Sequence, residues 1–278
     1  MHLAERRIKL ERGIKTVEIL FSGCLHVGHA GTQEQSILDM VDYIAEKPNR
    51  RLVLLGDVTD GISVSDPRFN PREVAPWLAT EDLSNRIMLE AERAVSMLHP
   101  IRDKIDGLVE GNHERKPRTV AQVDLHRVLA KGLGVQSLGV SAFLKYKFVG
   151  RDRGEANPVV FYCEHGAGGA GSVGVVINKL VKRAKDFPGA DAYVGAHHHK
   201  NGASTAETMS YNEQGGSITR KDPLVVTVGT FMSYFEKGRE TYGEVYGMPV
   251  PSIGPAKITV QPWGKIGARV GYSFPYWT

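Results

Sequence analysis

Five times along this chain a short apolar run stops at a cluster of histidine, aspartate, asparagine, cysteine or glutamate. That punctuation constrains the fold more than any other feature. Thr16 to Phe21 (TVEILF) is β-branched and apolar, as a strand should be, and breaks at Ser22-Gly23 before Cys24-Leu25-His26. Leu52 to Leu55 is a continuous apolar run, the pattern of a strand buried on both faces, and Gly56-Asp57-Val58-Thr59-Asp60 follows it. Ile105 to Val109 leads to Gly111-Asn112-His113-Glu114. Pro158 to Cys163 leads to Glu164-His165-Gly166, and Ala192 to Val194 precedes His197-His198-His199.

Helical patterns separate the first three runs. Thr32 to Glu46 reads as a helix, with Thr32 and Gln35 spaced as a capping box and Ile37, Leu38, Val41, Ile44 and Ala45 on one face. Glu81 to Leu98 is a second, with Ile87, Met88, Ala91, Ala94, Val95 and Leu98 together. Strand, helix, strand, helix, strand argues for right-handed crossovers in a largely parallel sheet. The second half is richer in strand. It offers Ala142 to Val149, Leu224 to Val228 and two short strands within Gly254 to Val270, with one helix at about Gly174 to Asp186. A single domain over residues 1–278 is expected, with loop insertions at about 61–80 and 202–221, the latter a hairpin or exposed loop.

Composition closes off other classes. With 41% hydrophobic and 24% charged residues, disorder and collagen-like repeats are excluded, and two cysteines are too few for a disulfide scaffold. No run of eighteen apolar residues occurs, so no membrane-spanning helix is expected, and Met1 to Leu10 lacks the apolar core of a signal peptide. A reduced, cytoplasmic setting follows as an expectation. The net charge of +4 suits phosphate-rich substrates without a dense basic run that would demand nucleic acid.

In open α/β sheets ligands bind beyond the carboxyl ends of the strands, so the five clusters are expected to converge on one sheet edge. Imidazole, carboxylate, amide and thiolate together hold divalent transition ions. One carboxylate such as Asp57 can bridge two cations, which in two-metal sites sit roughly 3.5–4 Å apart.

The five clusters, in this order, resemble the calcineurin-like metallophosphoesterase superfamily. Its D-x-H, G-D-x-x-D, G-N-H-[DE], H and G-H-x-H motifs correspond to Cys24-Leu25-His26, Gly56 to Asp60, Gly111 to Glu114, His165 and Ala196 to His199. The match spans residues 24 to 199. The resemblance implies a four-layer α/β fold in which two mixed β-sheets pack as a sandwich flanked by helices. It implies two divalent ions (zinc, manganese or iron), the first held by Cys24, His26, Asp57 and His199. Asp57, Asn112, His165 and His197 would hold the second. His113 becomes the acid or electrostatic partner at the leaving oxygen, with Glu114 orienting it, and Asn112, His113 and Arg115 would meet the substrate phosphate. Asp60 would support the site without ligating metal. The activity implied is phosphoric ester hydrolysis by a metal-bound hydroxide. A phosphodiesterase is favoured, nucleases included, with a nucleic acid or nucleotide among the substrates. The alternatives are a phosphomonoesterase, or a catalytically impaired subunit that binds nucleic acid or protein.

Two departures from the motifs matter unequally. Ala196 replaces a glycine, with Gly195 one place earlier. Cys24 replaces an aspartate, and a thiolate biases the first position towards zinc or iron, whereas a retained thiol leaves that position weak. Other polar residues carry simpler readings. His2, His29, His99 and His126 read as surface or core histidines, His198 as a solvent or supporting residue, and Cys163 as a small core residue. Arg115, Lys116 and Arg118 suit a phosphate or a solvated turn equally. Gly166 to Gly174 lacks the Lys-Ser/Thr of a phosphate-binding loop and reads as a flexible lead into a helix. For Trp77, Tyr234, Phe235 and Tyr242 packing is the expectation over base stacking.

Overall fold

Strand residues take turns between two cores. On the strand Val17–Ser22, Val17, Ile19 and Phe21 enter one apolar cluster and Leu20 the other; on Arg50–Leu54, Val53 enters the first and Leu52 and Leu54 the second. Period-two alternation with both faces apolar requires a layer on each side. The computed structural model describes residues 1–78, 83–169, 172–212, 216–235, 238, 240–264 and 269–275.

Among the described residues the strands, numbered in chain order, form two mixed sheets and a ribbon. One sheet runs β15 (Arg269–Ser273), β14 (Ala256–Gln261), β2 (Val17–Ser22), β3 (Arg50–Leu54), β4 (Ile105–Val109), β5 (Ser137–Gly139). Here β2 to β5 are parallel and β14 and β15 antiparallel. The other runs β1 (His2–Leu10), β6 (Ser141–Gly150), β8 (Val159–Glu164), β9 (Ala192–Gly195), β13 (Leu224–Thr227), β10 (Gly202–Thr205), with β7 (Gly154–Glu155) against β6. β11 (Thr208–Asn212) and β12 (Ser217–Lys221) form an exposed antiparallel ribbon inside the 202–221 segment.

The two sheets share one core, in which Phe21 of β2 meets Phe161 of β8 with ring centroids 5.2 Å apart. The helices α1 (Glu34–Ala45), α2 (Arg86–Leu98) and α5 (Leu125–Leu133) cover the outer face of the β2–β5 sheet, and α6 (Val173–Asp186) covers the other. The architecture is therefore α/β, a sandwich of two mixed sheets between helical layers. No helix among the described residues is long and apolar enough to cross a membrane.

Local readings shift in informative ways. α1 begins at Glu34 without a side-chain cap, because the Thr32 hydroxyl donates to the His26 carbonyl instead. On that helix Met40 is buried while Leu38 and Ala45 face outward. α2 starts at Arg86 behind a 3₁₀ turn over Leu83–Asn85, and residues 81–82 of the expected helix lie outside the described residues. Residues 79–80, 170–171, 213–215 and 265–268, parts of the expected loops and C-terminal strand pair, lie outside them too. The 61–78 segment carries only two 3₁₀ turns, Pro71–Glu73 and Pro76–Leu78. β1, charged at Glu5, Arg6, Arg7 and Lys9, is a strand that residue patterning alone does not suggest; it pairs in parallel with β6.

Candidate metal centre

Three clusters extend from β2, β3 and β4 of one sheet, and two from β8 and β9 of the other. Expectation placed all five on the edge of a single sheet. They meet instead at one end of the sandwich, where the two layers face each other. The junction is tight. A Cβ at Gly56, whose φ is +86°, would lie 2.5 Å from the Gly111 nitrogen and 2.9 Å from His165 Nδ1. Only a residue without a side chain lets these loops touch.

Backbone conformation marks the same residues. Cys24, His26, Asp57, His197 and His199 all have φ between 49° and 70°, and Gln122 is the one other non-glycine with positive φ among the described residues. Such conformations cost energy and persist where the surroundings enforce them. Here two backbone bonds and one hydroxyl do so: Cys24 N–H donates to Gly56 O (2.9 Å), His26 N–H to Asp57 O (3.1 Å), and the Thr230 hydroxyl to Cys24 O (2.7 Å).

One set of ligand atoms surrounds His165. Its Nδ1–H donates to Leu55 O at 2.6 Å, which directs the Nε2 lone pair into the site. Around that Nε2 lie Asp57 Oδ2 at 3.0 Å, Asn112 Oδ1 at 3.1 Å and His197 Nδ1 at 3.2 Å. Atoms sharing one ion at about 2.0–2.2 Å are separated by roughly 3.0–3.6 Å, so these spacings fit ligands of a common cation. In a second set His26 Nε2 faces His199 Nε2 at 3.3 Å, and Cys24 lies within ligating reach of both. Cys24 also groups with Asp57 and His165, so its sulfur stands between the two sets.

Protonation suits cation binding. Burial, with help from neighbouring rings, lowers His197 to about 4 and His199 to about 3, and it holds His26 well below the ordinary range. These imidazoles are neutral at neutral pH, the ligating form. Burial alone would raise the Asp57 carboxyl, but His165 and His113 hold it well below the usual carboxylate range. Burial and the neighbouring Asp57 charge push the Cys24 thiol well above its ordinary value, so without a cation it keeps its proton. His26 Nδ1 is buried with no hydrogen-bond partner, 4.0 Å from Asp60 Oδ1.

The supporting roles differ from expectation. Glu114 does not orient His113 with its carboxylate. That fully buried group accepts three backbone N–H bonds, from Asp57 (2.8 Å), Val58 (2.6 Å) and Gly111 (2.9 Å), and so clamps the β3 and β4 loops together. His113 is held instead by Asp60, whose carbonyl accepts from Nδ1, while its backbone N–H donates to Asp57 Oδ1 at 2.9 Å. Arg115 is half-exposed with Nε 3.7 Å from Glu110 Oε2, away from the ligand sets. His29 bonds Glu73 at 2.8 Å, His126 bonds Ser137 at 2.7 Å, and Cys163 is core.

Some contributors escape a residue-by-residue reading. Tyr234 is buried and its hydroxyl hydrogen-bonds His199 Nδ1, leaving Nε2 for the site. Nothing in the sequence around Tyr234 announces this. Arg86 and Glu90, both buried on α2, bond each other at 2.5 Å; Arg86 also reaches Asp60 Oδ2 at 2.5 Å, and Glu90 accepts from Gly61 N–H at 2.7 Å. A signal for this pair did exist: an i,i+4 Arg–Glu pair falls on the face that also carries Ile87 and Ala91.

No protein-family model matches the chain, and no curated protein matches it in sequence. Among solved structures it is similar to the calcineurin-like phosphoesterase YfkN from Bacillus subtilis, at 12% identity over 93% of this chain and 90% of that one, TM-score 0.41. It is similar to Vps29 of Chaetomium thermophilum, at 13% identity over 92% and 95%, TM-score 0.40. It is also similar to a metallophosphoesterase from Sphaerobacter thermophilus, at 11% identity over 94% and 90%, TM-score 0.38. At TM-scores this low the fold is read from the sheets themselves and the chemistry from the site.

Proposed function

We propose that this chain is a divalent-metal-dependent phosphoric ester hydrolase that works with two adjacent cations and prefers phosphodiesters to phosphomonoesters. The supporting observation is the knot of three candidate ligand atoms within 3.2 Å of His165 Nε2, next to a facing pair of imidazole nitrogens. So many lone pairs turned together in a buried space are unfavourable without a positive charge. Cys24, His26, Asp57 and His199 would hold one ion, and Asp57, Asn112, His165 and His197 the other. When bound, the ions supply Lewis acidity towards phosphoryl oxygens and lower the pKa of water.

The remaining work falls to the chain. Asp60 O fixes the His113 tautomer with Nδ1 protonated, so Nε2 is the nitrogen left to face the leaving oxygen, where general acid catalysis is worth about 10²–10⁴-fold. Glu114 keeps Asp57 and the start of α3 (Asn112–Arg115) in register, which places Asn112 and His113 on the same side. Asn112 is the neighbouring group that would contact phosphate oxygens. The diester preference is supported by the long 61–78 segment, which starts at Gly61 against the His113 carbonyl and can frame an extended substrate.

The test is hydrolysis of bis-(p-nitrophenyl) phosphate and p-nitrophenyl phosphate side by side, with zinc, manganese and ferrous ions, plus metal analysis of the purified protein. Faster diester turnover and two ions per chain are expected. Faster monoester turnover reverses the preference. Negligible metal with no turnover leaves a binding subunit in which Cys24 keeps its proton.

A further inference from the structure

Beside the His165 ligand set lies a cavity of about 260 Å³, between α6 and the loop ends of β8 and β9. Three of its lining residues are immediate chain neighbours of proposed ligands: Gly166 follows His165, Ala196 precedes His197, and His198 follows it. A Cβ at Gly166 would lie 3.4 Å from His197 Cβ, so this wall of the cavity packs against a proposed ligand of the second cation. The His198 ring is 4.9 Å from that of His197, centroid to centroid.

The opposite wall is cationic. Lys179, Lys182 and Arg183 stand at i, i+3 and i+4 on α6, so all three project to one side of the helix. Glu164 is the one carboxylate on the lining and is taken by Arg183 at 2.9 Å and by the Tyr162 hydroxyl at 2.9 Å. Lys179 donates to Ala167 O and Gly169 O at 3.1 and 3.0 Å, which fixes the glycine-rich loop while keeping its charge in the wall. Lys182 is exposed and has no ion-pair partner among the described residues. Cations thus outnumber anions around a space smaller than the ~300–1,000 Å³ pocket of a whole drug-sized ligand. Its size suits one anionic group and a linker.

We infer that this cavity is a subsite for a second phosphate of the substrate, one ester or anhydride unit from the phosphorus held at the metal centre, with Lys182 as a specificity-determining residue. The inference rests on the phosphodiesterase reading above and names its substrate class. Such a phosphate comes either from a nucleic-acid strand or from a nucleotide polyphosphate.

Two substrate pairs separate these sources: the thymidine dinucleotides pTpT and TpT, and the p-nitrophenyl esters of ADP and of AMP. In one pair or the other, the member with the additional phosphate has about tenfold higher kcat/KM, the size of one charge-assisted contact. Lys182→Glu lowers that ratio at least fivefold, whereas Lys185→Glu, outside the cavity on the same helix, leaves it within twofold. A ratio near one in both pairs, or equal losses from both variants, overturns the subsite. Equilibrium binding of pTpT and ADP to the three proteins in EDTA reads the site without catalysis. If no substrate is hydrolysed but Lys182→Glu alone weakens binding, the hydrolase reading falls and the anion site stands. Equal affinities across the three proteins remove the anion site.

Discussion

Replacing Glu114 by glutamine separates a clamp from a catalytic orienter. In the wild type Oε2 accepts from the Asp57 and Gly111 nitrogens and Oε1 from Val58, all at 2.6–2.9 Å. An amide offers one acceptor and two donors, so in its better orientation it satisfies Asp57 and Gly111 and turns an NH₂ towards the Val58 N–H. A buried donor left unpaired costs about 1–3 kcal/mol, and two bonds to a charged acceptor become neutral ones at about 1 kcal/mol each. Against this, burial and the nearby Asp57 charge raise the Glu114 carboxyl above its usual value, so removing the charge returns part of the loss. The net expectation is about 2–4 kcal/mol of lost stability by urea unfolding. Because the clamp sets the Asp57 loop, bound metal by elemental analysis should fall with it. Unchanged stability and metal content with a reduced kcat alone would refute this reasoning and return Glu114 to orienting His113.

Other substitutions and conditions probe the remaining contacts. Cys24→Asp should keep the fold and shift metal preference from zinc or iron towards manganese in competition assays; an unchanged preference removes the sulfur from the ligand set. Arg86→Met leaves Asp60 and Glu90 buried without their cation and should cost about 3–5 kcal/mol, partly recovered in the Arg86→Met, Glu90→Met double variant. That cost is expected to shrink as pH falls, because burial raises Glu90 to about 8 even with Arg86 beside it, and a protonated Glu90 no longer needs the cation. Metal-free protein should lose stability as pH falls from about 6.5 towards 3–4. His197 and His199 are depressed to about 4 and 3, so the unfolded chain binds protons first and their contribution, full above pH 6.5, drains away on acidification. A thermal midpoint flat over that range in EDTA would contradict this.

The residues that meet at the site were legible because apolar runs locate strand ends independently of chemistry, and five of them end in the same residue types. What joins them was less legible. Tyr234 supports His199 from 35 residues away, with β10 to β13 between them, so only the fold brings them together. β1 hides for a different reason. Its inward positions are Ala4, Arg6, Ile8 and Leu10, and Arg6 breaks the apolar alternation because its Nε donates to the Asp106 carbonyl at 2.8 Å. Glu114 was correctly placed near His113 in sequence, yet its carboxylate reaches the loop of the neighbouring strand. Adjacency in the chain says little about direction when a helix begins at that point.

The same end of the sandwich holds the strained backbone, the depressed histidines and the unpartnered His26 Nδ1, and these share one physical origin. Turning Cys24, His26, Asp57, His197 and His199 inward requires left-handed φ at each, at a cost of order 1–3 kcal/mol per residue. Keeping their lone pairs close together adds electrostatic cost in a largely buried space. The chain relieves part of the second cost itself, since His165 Nε2 lies 3.0 Å from Asp57 Oδ2 and the His113 N–H donates to Asp57 Oδ1, while other polar groups are committed outward: Leu55 O to His165, Tyr234 to His199, Glu114 to the loops. The rigid frame of two sheets bears the strain, and a pair of cations is the change that would relieve it. On the proposed two-cation reading, such a site would give up stability to hold its ligands ready, and the Glu114 clamp is where that arrangement is most exposed to test.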